Sequence, residues 1–138
     1  MRIVHICNTR IPSEKAHSRQ IIEMAYALQQ QTNSILIINN RVQENKSLKK
    51  IQYTDFYNIP KLNIKILNIF DDIYLNKKIG FSSTLYIFRI ILTFIKLLPI
   101  LNKNNDIIYS RELLLSIFLN IFKYKKIFEI HQFGTDQM

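Results

Sequence analysis

Five side chains able to meet an anion or a sugar fall close together near the start of the chain: Arg10, Ser13, Lys15, His17 and Arg19. They lie just before, or in the first turn of, an expected helix. A helix N-terminus offers unpaired amides and a dipole worth roughly 0.3–1 kcal/mol to a nearby anion. Cations at that end are electrostatically out of place unless a negative ligand visits; a solvated basic loop is the plain alternative. A second candidate is Arg111, which opens the helix expected after the fourth strand. Its guanidinium suits bidentate capture of phosphate or carboxylate, unless the adjacent Glu112 simply neutralises it. The third is His131, close to Glu129 and beside Gln132 at the end of the last expected strand. It is the candidate catalytic group, acting by positioning, with a hydrogen-bonded structural histidine as the alternative.

Other chemistries find no support. The loop at 8–17 contains no glycine, whereas dinucleotide fingerprints and P-loops need glycines so that backbone approaches phosphate. Cys7 is the only cysteine and falls in an apolar run, which excludes a disulfide framework and a thiolate metal site. His5 and His17 give no metal-ligand spacing, and no Ser-His-Asp set or close carboxylate pair stands out. No metal is expected.

The elements that must position these groups follow from periodicity. Residues 2–7 read as a strand, and helix character runs from about 17 to 31 with Ile21, Ile22, Ala25 and Leu28 on one side. Residues 34–38 form a continuous aliphatic run, as in a strand buried on both faces. The polar stretch 39–60 has room for a short helix at 48–56, 63–70 reads as a third strand, and 71–81 as a loop holding Gly80. A long apolar helix comes next, then a strand at 106–109, a helix at 111–122 and a strand at 126–131. Strands alternating with helices predict an α/β fold with a parallel sheet flanked by helices. Right-handed crossovers then place the first three strands in the order 3-2-1 and the fourth beside the first. Ligands of such sheets bind beyond the carboxyl ends at that switch point, where the 8–17 loop, the 110–112 junction and His131 converge.

The formal net charge of +9 favours anionic partners such as phosphorylated substrates, nucleic acid or acidic lipid. Heavy use of Lys, Ile and Asn also fits simple compositional drift. Nucleic acid is the weaker reading, because the basic residues are scattered and lack an interleaved aromatic platform. The apolar run ending at Cys7 is too short for a signal peptide. Residues 85–101 pose a membrane question. Arg89 and Lys96 cost about 5–7 kcal/mol together on the insertion scale, and the large apolar residues return a similar amount. The segment also falls short of the ~20 residues that a span needs. Ser82, Tyr86, Arg89, Thr93 and Lys96 step by three and four, which predicts a packed helix with one wet face; a monotopic membrane contact is the alternative.

The stretch "ICNTRIPSEKAHSRQIIEMAYAL", and "DIIYSRELLLSIFL" followed by "KKIFEIHQF", resemble the glycosyltransferase family 4-like N-terminal domain. In that family a Pro-Ser-Glu-Lys-Ala-His segment precedes the first helix, and a strand–Arg–helix–strand–His segment follows later. The resemblance spans nearly the whole chain apart from residues 39–76. It implies the N-terminal, acceptor-side half of a GT-B fold, Rossmann-like, with a nucleotide-sugar donor bound by a second domain. Residues 13–20 would then face the cleft, Arg111 would match the arginine after the fourth strand, and His131 the histidine near the transferred sugar.

The resulting expectation is one incomplete domain, residues 1–138, that binds no cofactor itself. In the complete enzyme it would help move a hexosyl group from the nucleotide-sugar to a glycan or lipid-linked acceptor. The donor domain is absent from the sequence, so the chain alone is expected to be inactive. The alternative is a non-catalytic acceptor or membrane-docking subunit that pairs with a separate donor-domain chain. Either would act in the cytoplasm, with a peripheral seat on the acidic inner face of the membrane as a variant.

Overall fold

The computed structural model describes residues 1–39, 41–80 and 82–129. Among the described residues, five strands form one sheet: β1 (Arg2–Asn8), β2 (Ser34–Asn39), β3 (Ile64–Leu67), β4 (Asp106–Ser110) and β5 (Lys126–Phe128). Their order is β3-β2-β1-β4-β5, and every pairing is parallel. The expected 3-2-1 order with the fourth strand beside the first is what the register shows: Ile6 of β1 lies against Ile37 on one side and Ser110 on the other. The helices are α1 (Ala16–Gln31), α2 (Tyr53–Tyr57), α3 (Asp72–Ile79), α4 (Ser82–Leu97) and α5 (Leu113–Ile121). This is a Rossmann-like α/β fold.

Alternation along the strands builds two cores, because successive side chains point to opposite faces. Cys7, Leu36 and Ile38 pack beneath Ile21, Ile22 and Ala25 of α1. Val4, Ile6, Ile37 and Ile108 pack on the other face against Ile90, Phe94 and Leu97 of α4 and Leu115 and Leu119 of α5. Each such aliphatic side chain contributes about 1.5–3 kcal/mol when fully buried. At the amino end of the sheet Arg2 grips Asp106 with two bonds, Nε to Oδ1 at 2.9 Å and Nη2 to Oδ2 at 2.6 Å. That clamp fixes β1 against β4, the pair that creates the switch point.

Four expectations need correction. Residues 71–81 are not a loop, because α3 occupies most of them. Asp71 caps it by accepting bonds from the amides of Ile73 and Tyr74, and Gly80 ends it at φ 82°, a left-handed conformation that favours glycine. The third strand is shorter than expected, and Ile69 leaves it to enter the core. Arg111 precedes α5 rather than opening it, with Glu112 at the cap position. The polar stripe of α4 is the fourth. Arg89 and Thr93 are wholly buried, while Ile87, Phe88, Ile95 and Leu98 on the opposite side are exposed. The helix turns its polar centre inward because polar groups of the sheet edge wait there. The short helix expected at 48–56 is present as a 3-10 turn, Leu48–Lys50, followed by α2. Among the described residues, no helix is long and apolar enough to cross a membrane.

Candidate functional site

The chain leaving β1 at Asn8 forms the loop that the sequence singles out, and neighbouring elements hold it. The Ser13 amide donates to the Tyr57 hydroxyl at 2.9 Å, and that hydroxyl donates to the Ser13 carbonyl, also at 2.9 Å. Gln43 Nε2 donates to the Pro12 carbonyl at 2.7 Å. Thr9 and Ser18 share a buried hydroxyl–hydroxyl bond of 2.8 Å. So fixed, the loop walls a pocket of about 270 Å³ whose lining includes Arg10, Ser13, Lys15, His17 and Arg41. Four of the five expected loop residues therefore meet in one pocket. Arg19 faces away: it pairs with Glu23 at 2.8 Å and lines an adjacent hollow with Ser13 and Tyr57.

Arg41 carries no local sequence signal, although its position just past β2 places it at the same carboxyl edge. Its Nη1 lies 3.0 Å from Asp71 and 3.3 Å from Asp72, so the start of α3 anchors it in the pocket wall. Asp72 also takes Arg89, with Nη1 to Oδ1 at 2.5 Å. The Arg89 guanidinium is wholly buried, and its Nε and Nη2 have no hydrogen-bond partner among the described residues. Burial, with Arg41 close by, pulls its pKa below the ordinary value.

Behind the pocket lies a polar network built on the switch point. Asn39, ending β2, donates to Asn8 Oδ1 at 2.6 Å and to Thr93 Oγ1 at 3.1 Å. Asn8 donates to one oxygen of Glu112, and the Tyr86 hydroxyl donates to the other at 2.8 Å. Burial first, and then the Glu112 charge, push the Tyr86 phenol well above its usual range. Glu112 is thus committed to Asn8 and Tyr86. Arg111 finds its carboxylate in Glu129 instead, through Nε at 2.7 Å and Nη2 at 3.2 Å.

Arg111 Nη1 also lies 3.3 Å from His17 Nδ1, and Tyr109 donates to the same Glu129 carboxylate. Two residues predicted from distant segments, His17 and Arg111, are thereby neighbours. His131 lies outside the described residues. Beneath this group, burial pushes the Cys7 thiol up to about 12, so it supplies no thiolate nucleophile at neutral pH. Among the described residues, no three His, Cys, Asp or Glu side chains are grouped to hold a metal ion.

A second hollow, of about 340 Å³, lies on the other side of the loop and is lined largely by apolar groups, among them Ile11, Ile38, Tyr53 and Leu62. Thr9 belongs to the walls of both hollows. The edge thus offers a cationic pocket and an apolar one side by side. Such a pair suits a molecule with an anionic or polar head and an apolar portion. No family model, curated protein or solved structure matches this chain.

Proposed function

We propose that the chain is the acceptor-side domain of a GT-B-type glycosyltransferase, which moves a hexosyl group from a nucleotide-sugar to a glycan or lipid-linked acceptor. The observation that carries the reading is the pocket formed by Arg10, Ser13, Lys15, His17 and Arg41 at the carboxyl edge of the β1–β4 switch point, where doubly wound sheets bind ligands. The sequence resemblance supplies the reaction class. The glycine-free loop is unsuited to a nucleotide pyrophosphate, which supports a donor site on a second α/β unit. In this reading Arg10, Lys15 and Arg41 hold the acceptor's anionic or polar end. Arg111, oriented by Glu129, and His131 position the reacting groups. Anions already neutralised within the fold (Asp71, Asp72) keep Arg41 in place without filling the pocket.

The test pairs binding with turnover. The purified chain is titrated calorimetrically with a water-soluble, short-chain isoprenyl-diphosphate saccharide and with its neutral saccharide. Binding of the charged compound is expected, weakened roughly tenfold or more by Arg41→Ala, since hydrogen bonds to charged groups contribute about 1.5–3 kcal/mol. Radiolabelled nucleotide-sugar should give no transfer by the chain alone. Transfer without a donor domain, or binding indifferent to Arg41→Ala and Arg10→Ala, would overturn the reading.

A further inference from the structure

The two faces of the sheet are covered by helices of opposite outward character. On one face α1 exposes Arg19, Gln20, Glu23 and Gln30, an ordinary wet surface. On the other, the outward side of α4 presents Ile87, Phe88 and Ile95, with Leu98 just past its end, and α5 presents Leu113, Ile117 and Ile121. The spacings 87, 91, 95, 98 and 113, 117, 121 each make a single stripe on a helix. These stripes lie opposite the faces by which the same helices pack on the sheet, so each helix carries a second, outward apolar face. A contiguous exposed apolar face of this kind marks an interaction surface.

The charges around the stripes say what the cover is. Residues 73–105 contain no Asp or Glu, and neither do residues 113–128. Asp71, Asp72 and Asp106 are buried, and the Glu112 carboxylate is held by Asn8 and Tyr86. Lys77, Lys78, Lys96 and Lys103, with Lys123 and Lys125 after α5, are exposed in the same segments. Lys77 is paired to Glu44 at 2.9 Å. A second copy of this face would set lysine against lysine, which opposes self-association. An α4 of 16 residues extends about 24 Å, shorter than the ~30 Å hydrocarbon core, so the helices lie along a surface instead of crossing it.

We propose that the outer face of α4 and α5 seats the protein on an anionic membrane surface, with the aliphatic stripes in the headgroup boundary and the lysines on acidic lipid. This rests on different residues from the acceptor pocket and holds whichever acceptor is used. Interfacial helices bind by buried apolar area plus attraction to anionic lipid, and each lysine near such a surface raises partition roughly fivefold.

The full chain is mixed with phosphatidylcholine vesicles and with phosphatidylcholine–phosphatidylglycerol vesicles, and sedimentation is followed at low and high salt. Strong pelleting is expected with the anionic vesicles, weaker with the neutral ones, and less at high salt. The double variant Ile87→Glu, Ile95→Glu should lower partition at least about tenfold with an unchanged thermal unfolding curve, both positions being half exposed. Lys78→Glu with Lys103→Glu should weaken binding to anionic vesicles alone. Absence of pelleting, or pelleting unaffected by the Ile substitutions, would overturn the proposal. So would a lipid-free dimer in analytical ultracentrifugation that the same Ile substitutions dissociate, which would give the face to a second copy.

Discussion

His5 shows how a single side chain reports the electrostatics of this fold. It sits in the middle of β1 between Leu36 and Tyr109 on the neighbouring strands, stacked edge-on against the Tyr109 ring at 4.8 Å. Neither ring nitrogen has a hydrogen-bond partner among the described residues. Burial holds its pKa down at about 4, against an ordinary 6.5, with the Arg111 and His17 charges adding to the effect. The unfolded chain therefore takes up a proton near 6.5 that the folded chain refuses until about 4. Stability is complete above 6.5 and falls as pH drops towards 4, by up to about 3 kcal/mol from this one group. Urea unfolding near pH 7.5 and near pH 5 should show about 2 kcal/mol of that loss, and His5→Leu should remove most of it. An unchanged pH slope in the variant would assign the effect to other groups.

At the scale of an element, α3 links stability to the site. Asp71 caps the helix, accepts the Val42 amide at 2.9 Å and holds Arg41 at 3.0 Å. Asp71→Ala removes a cap worth about 0.5–2 kcal/mol together with an ion pair that is largely out of water. A destabilisation of about 2 kcal/mol is expected in thermal unfolding. Asp71→Asn should recover most of the cap but not the grip on Arg41, so stability and pocket binding should separate in that variant. Stability and binding that move together in both variants would count against the anchoring role. An Asp cap and a Gly stop enclosing eight residues mark the boundaries of α3 in the sequence. The segment between them lacks a sustained apolar period, so periodicity alone reads it as a loop.

At the scale of the whole molecule, the sheet has a strong centre and weak margins. β1 has a partner on each side and its central residues are fully buried, whereas β3 and β5 are short and expose Ile66 and Ile127. Amide exchange should accordingly be slowest at Val4, Ile6, Leu36, Ile37 and Ile108 and faster through β3 and β5. Equal protection of β3 and β1 would mean that the sheet opens only as a unit. The central pairing of β1 with β4 joins residues about a hundred positions apart, as in Arg2 with Asp106. Its loop-closure cost is met only when both helical layers pack.

The sequence by itself determined the alternation of strands and helices, the parallel sheet and the strand order. These follow from local hydrophobic period and crossover handedness, which a chain carries in short windows. Tertiary structure decided the direction in which α4 faces. By pattern alone, Arg89 and Thr93 belong to solvent and the aliphatic stripe to the core. In the fold, Asn39 and Asp72 meet the polar stripe from distant segments, so the polar groups turn inward and an aliphatic face is left outside. The same holds for Arg41 joining Arg10, and for Arg111 choosing Glu129 over its neighbour Glu112. Such choices depend on distances between segments far apart in the chain, and a local period carries no record of them.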